Sequence, residues 1–115
     1  MSVVIWHNPR CTKSRETLKY LEDHGHKPKV REYLEDVPSV SELKAVLKQL
    51  GFGSARELIR TREADYKALN LKGEGKEENL IKAMADYPKL IERPVVIANG
   101  KAALGRPPEN VLTIL

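Results

Sequence analysis

A chain of 115 residues, 41% hydrophobic and 31% charged, is long enough for one domain (1–115) with a real core and too short for two, and its balance excludes a disordered or fibrous protein. No apolar run approaches the roughly 18 to 20 residues of a membrane span, and Met1-Ser2-Val3 has no basic region leading into an apolar one, so a cytoplasmic monomer without membrane association is expected. The net charge of +4 comes with 5% aromatics and with basic residues interleaved among acids, which argues against nucleic-acid binding, and the single cysteine excludes an internal disulfide.

In chain order, Ser2 to Trp6 reads as a short β-branched strand, central in its sheet and ended by Asn8-Pro9. A helical pattern of about four turns starts at Cys11, with Ser14, Thr17-Leu18 and Leu21 on one face and Gly25 as the stop. Lys29 to Leu34 reads as a second strand, so the first three elements form a βαβ unit with parallel strands. Ser39-Val40-Ser41-Glu42 is a capping box that opens a helix ending at Gly51, and Ser54-Ala55-Arg56-Glu57 is a second box, whose helix runs to about Arg60. Ala64 to Leu69 adds a turn or two, Asn70 to Gly75 is a loop, and Glu77 to Tyr87 returns to helix with Met84 as core filler. Asn99-Gly100, between Val95-Val96-Ile97-Ala98 and Lys101-Ala102-Ala103-Leu104, predicts an antiparallel hairpin on a type I′ turn. Pro107-Pro108 then fits a helix start, with Val111, Leu112 and Leu115 as its apolar side. The order β-α-β, several helices, β-β-α gives an α/β fold with a mixed sheet and a helical insertion at about 37–91.

The candidate chemistry centres on His7-Asn8-Pro9-Arg10-Cys11-Thr12-Lys13-Ser14-Arg15. A strand turning into a helix puts Cys11 at the helix N-terminus, where backbone N–H groups and the dipole favour an anion, and His7, Arg10, Lys13 and Arg15 surround it with no carboxylate before Glu16. These polar, cationic flanks favour a reactive thiolate over a small buried hydrophobe. Ser14, three residues on, is placed to donate a hydrogen bond to the sulfur, and a cationic His7 would favour the thiolate. Arg60, Arg93 and Arg106 stand at the edges of elements rather than on helix faces, which suggests a shared mouth. His24 and His26 flank a glycine turn without ligand partners at helical spacing, so no metal is expected.

The run H-N-P-x-C-x-x-S-R-x-T-L, with arginines in L-I-R, E-R-P-V-V and G-R-P, resembles the glutaredoxin-type arsenate reductase family, also called ArsC-like. Its members have a thioredoxin-like (glutaredoxin-like) fold. The resemblance implies that Cys11 attacks arsenic, that His7 supports the thiolate, and that Arg60, Arg93 and Arg106 bind the oxyanion. It implies a cis-proline at Pro94, opposite the cysteine, and no bound cofactor. Glutathione would be the co-substrate and glutaredoxin the partner that resolves the mixed disulfide, as the chain has no second cysteine. The chain departs from the best-known members at Thr12-Lys13, where they carry Gly-Thr. A glutathione-dependent oxidoreductase acting on another substrate is the alternative on the same residues. A regulator bound to RNA polymerase through a Cys-x-x-Cys switch is disfavoured, since position 14 is serine.

Overall fold

The structure is a computed structural model that describes residues 2–115; Met1, where the single-domain assignment begins, lies outside the described residues. Four short strands, β1 (Val3–Trp6), β2 (Lys29–Arg31), β3 (Val95–Ala98) and β4 (Lys101–Leu104), make a mixed sheet in the order β2-β1-β3-β4. The first strand pairs parallel with β2, Ile5 facing Val30, and antiparallel with β3, Ile5 facing Val96. It is therefore internal, as its run of apolar residues requires. The β3–β4 hairpin turns through Asn99 and Gly100, both at positive φ (55° and 73°), as a type I′ turn demands.

Two compact units emerge from the contacts. One runs to Asp36 and resumes over Arg93–Leu115; the other is Val37–Glu92. In the first, the helix α1 (Thr12–Asp23) and the 3-10 segment Pro108–Ile114 pack Leu21, Val111 and Ile114 onto Val3, Ile5, Val96 and Ala98. This last segment was expected to be a helix with Leu112 inward. It has three residues per turn, which aligns Val111 with Ile114 in the core and leaves Leu112 45% exposed. The second strand is also shorter than expected: after Arg31 the carbonyl of Glu32 accepts from the N–H groups of both Glu35 and Asp36, so Tyr33 to Glu35 turn instead of extending to Leu34.

The second unit is helical. The helix α2 (Val40–Leu50) starts at the Ser39/Glu42 box, whose two reciprocal bonds are each 3.1 Å, and stops at Gly51 in the left-handed region. It packs against α4 (Glu77–Asp86), with Lys44 bonded to Glu78 at 2.9 Å. The second box opens a 3-10 turn, Ala55–Leu58, and Glu77 of α4 also holds its start, accepting from Ala55 N at 2.7 Å. The short α3 (Ala64–Ala68) leads into a further 3-10 turn at Leu71–Gly73, in what the glycines mark as loop. Ile59 pairs with Ile91 in an antiparallel bridge, so Arg60 follows an extended residue rather than ending a helix.

Candidate active site

The register places several chain ends together at one end of the sheet. Trp6 ends β1 opposite Val95, the first residue of β3, which in turn faces Leu104, the last of β4. One step further, His7 leaves β1, Pro94 enters β3 and Gly105 leaves β4. The Gly105 N–H donates to Pro94 O at 3.0 Å, and the His7 N–H to Arg31 O at 2.8 Å. The peptide bond before Pro94 is cis, as is the one before Pro107. Helix α1 is fastened at the same place: Thr17 Oγ1 donates to the carbonyls of Gly105 and Lys13 at 3.0 and 3.1 Å. A Cβ on Gly105 would lie 2.5 Å from Thr17 Oγ1 and 2.9 Å from Pro94 Cγ, so only glycine admits this approach. The pairing of Thr17 with Gly105 is not legible in the sequence, for nothing in their local context announces a contact 88 residues apart.

Cys11 is the N-cap residue of α1, in extended conformation, with its N–H on Asn8 O and its carbonyl accepting from Arg15 N. Its side chain caps nothing and is buried, 9% exposed. The thiol therefore sits where the first-turn N–H groups of α1 favour an anion, with little water around it. Ser14 does something other than the expected bond to sulfur. Its Oγ lies 2.7 Å from His7 Nδ1 and accepts from Asn8 N at 3.0 Å. His7 is buried, and that burial lowers its pKa below the ordinary 6.5; Glu32 pulls it upward and Arg15 pushes it further down. Burial thus works against the cationic His7 expected beside the thiolate. Desolvation of the charged ring outweighs the one favourable carboxylate.

Of the arginines, Arg93 and Arg106 are brought together: Arg106 Nε donates to Arg93 O at 2.8 Å, and Asn110 Nδ2 to Arg106 O at 2.9 Å. Arg60 belongs to the helical unit, where it pairs with Glu63 and, at 3.7 Å, with Glu92, while its N–H donates to Leu90 O. Arg15, not singled out from the sequence as a site residue, ties the cysteine turn to α1 through Pro9 O at 2.8 Å and Thr12 Oγ1 at 3.2 Å. Among the described residues no cluster of three or more His, Cys, Asp or Glu could hold a metal, and no helix is long and apolar enough to cross a membrane.

A mixed four-stranded sheet, a cysteine at the N-cap of the first helix and a cis-proline entering the neighbouring strand define an α/β protein of thioredoxin-like fold. Residues 6–114 match the model of the ArsC family, and the chain belongs to that family. It is 56% identical over 114 residues to the uncharacterized protein YfgD of Escherichia coli (strain K12), covering 98% of this chain and 96% of that one. It is 48% identical over 116 residues to the arsenate reductase of Haemophilus influenzae, covering all of both chains. Among solved structures, the arsenate reductase from Vibrio cholerae superposes with a TM-score of 0.97 at 55% identity, over 100% of this chain and 98% of that one.

Proposed function

We propose that this protein is an oxidoreductase that reduces arsenate to arsenite, with glutathione as co-substrate and glutaredoxin as the resolving partner. The observation that carries the reading is Cys11 at the N-cap of α1, in a chain that matches the ArsC family and is 48% identical to a protein named arsenate reductase. In this reading the Cys11 thiolate attacks arsenic, an oxygen leaves as water, and a Cys11–arsenic bond forms. Glutathione then attacks; the two thiols supply the two electrons that take As(V) to As(III), arsenite departs, and Cys11 is left disulfide-bonded to glutathione. Glutaredoxin takes over the glutathionyl group and returns Cys11 to the thiol.

Arg60, Arg93 and Arg106 are proposed as the oxyanion-binding cations, on their sequence contexts. Guanidinium forks match the oxygens of a tetrahedral anion and stabilise charge that shifts onto them in the transition state. The Arg106–Arg93 hydrogen bond supports a common role for that pair, since it fixes one guanidinium by the other residue's backbone. The test is arsenate-dependent NADPH consumption with glutathione, glutaredoxin and glutathione reductase. Turnover abolished by Cys11→Ser is the expected result. An arsenate rate no higher than that of Cys11→Ser, from protein whose thiol still alkylates, would reject arsenate as substrate.

A further inference from the structure

Two carboxylates of its own unit hold the guanidinium of Arg60: Glu63 on Nη1, and Glu92 at 3.7 Å from Nε. The backbone fixes all three residues. Around the Ile59–Ile91 bridge, the Arg60 N–H donates to Leu90 O and the Glu92 N–H to Leu58 O, both at 2.7 Å. Glu63 stands just before α3, and its N–H reaches back to Arg60 O at 3.4 Å. The two ion pairs therefore hang on a pinned backbone, which removes much of the entropy that long surface side chains lose when they meet in solvent.

A guanidinium offers an oxyanion two forks, Nε with Nη2 and Nη1 with Nη2. In Arg60 each fork includes a nitrogen that already faces a carboxylate. A tetrahedral anion can take either fork with two oxygens only by moving a carboxylate aside. We propose that Glu63 and Glu92 are positioning residues that act through Arg60, as built-in competitors that an incoming oxyanion displaces. The exchange conserves bonding, since a carboxylate and an arsenate or phosphate oxygen both accept from the same N–H groups. Its cost is the opening of an ion pair. The side chains involved are 24% to 26% exposed, so water reaches the pairs and keeps that cost moderate. At rest two negative charges face one positive, and Arg60 gathers stray anions less than a bare guanidinium would.

A held side chain also binds better because its rotamers are already ordered, which works in the opposite direction. Glutamine separates the two effects: it keeps the reach and an accepting oxygen for the Arg60 N–H but carries no charge. The competitor role rests on Arg60 being an oxyanion cation, as proposed above, and does not require arsenate as the substrate. Inorganic phosphate titrated into the full chain, with binding read from backbone amide shifts, tests it without turnover. Glu63→Gln and Glu92→Gln should each bind phosphate about fivefold more tightly, the upper worth of an ion pair that water reaches. In an Arg60→Ala background the same substitutions should gain less, since no pair is left to open. A carboxylate that merely supports the structure would weaken binding when lost, by loosening Arg60. Affinity unchanged or weakened in either glutamine variant overturns the proposal, as does an equal gain with and without Arg60. If Arg60→Ala binds phosphate as the wild type does, or if phosphate shifts no amide in any variant, the assignment of Arg60 falls and the proposal falls with it. Weak binding by Arg60→Ala beside unmoved glutamine variants rejects the proposal alone and leaves Arg60 in the oxyanion site.

Discussion

Gly105 ties the helix that Cys11 opens to the adjoining ends of β3 and β4, because its missing Cβ lets Thr17 and Pro94 close on one point. Gly105→Ala is expected to cost about 1–3 kcal/mol, the range for overpacking a well-filled site. Urea unfolding would measure it, and an unchanged midpoint would show that this junction yields easily. His7 gives a pH prediction. Its folded pKa is depressed, so below 6.5 the unfolded chain binds the proton before the native state does, and stability present above 6.5 is lost as pH falls through the folded value. Wild type should therefore lose stability more steeply between pH 7.5 and pH 5 than His7→Asn. Parallel curves for the two would contradict the depressed value.

At the scale of elements, stability rests on ends and turns that the sequence writes locally. Ser39 accepts from Glu42 N while Glu42 returns a bond to Ser39 N, so Ser39→Ala should cost about 1 kcal/mol through the lost cap. Thermal or urea unfolding checks this. Gly100 turns the hairpin at φ 73°, where a Cβ meets no neighbour but the backbone disfavours any L side chain. Gly100→Ala is expected to cost about 1–2 kcal/mol, whereas Gly53→Ala, with open space around it and no positive φ, should cost nothing measurable. Equal losses at both glycines would remove the conformational argument. The 3-10 turn Ala55–Leu58 is the counter-example, since a good local box opens four residues of 3-10 helix and no α-helix.

For the whole molecule, a net charge of +4 and three arginines proposed for one oxyanion predict how inhibitors act. Phosphate has the shape and charge of arsenate but cannot be reduced by thiols. It should raise the apparent KM for arsenate and leave kcat unchanged, and the effect should weaken as added salt screens the cations. Steady-state rates at several phosphate concentrations decide it. A fall in kcat at constant KM would mean that phosphate acts away from the arsenate site.

What the sequence determined by itself is whatever depends on neighbours a few residues apart: the cysteine at a helix start, the two boxes, the Asn99-Gly100 hairpin and the β-α-β order that places β1 inside its sheet. Motif matching added the ArsC family, since H-N-P-x-C and the three arginine contexts are themselves local strings. The tertiary structure alone decided what depends on burial and on residues far apart. Only burial depresses the pKa of His7, and only the folded chain sets Ser14 against His7 and Asn8. Only packing brings Thr17 to Gly105 and gives the last segment three residues per turn, which turns Ile114 inward and Leu112 out. The cost of desolvating a charge and the partner of a buried hydroxyl are properties of a folded neighbourhood, and no window of adjacent residues contains one.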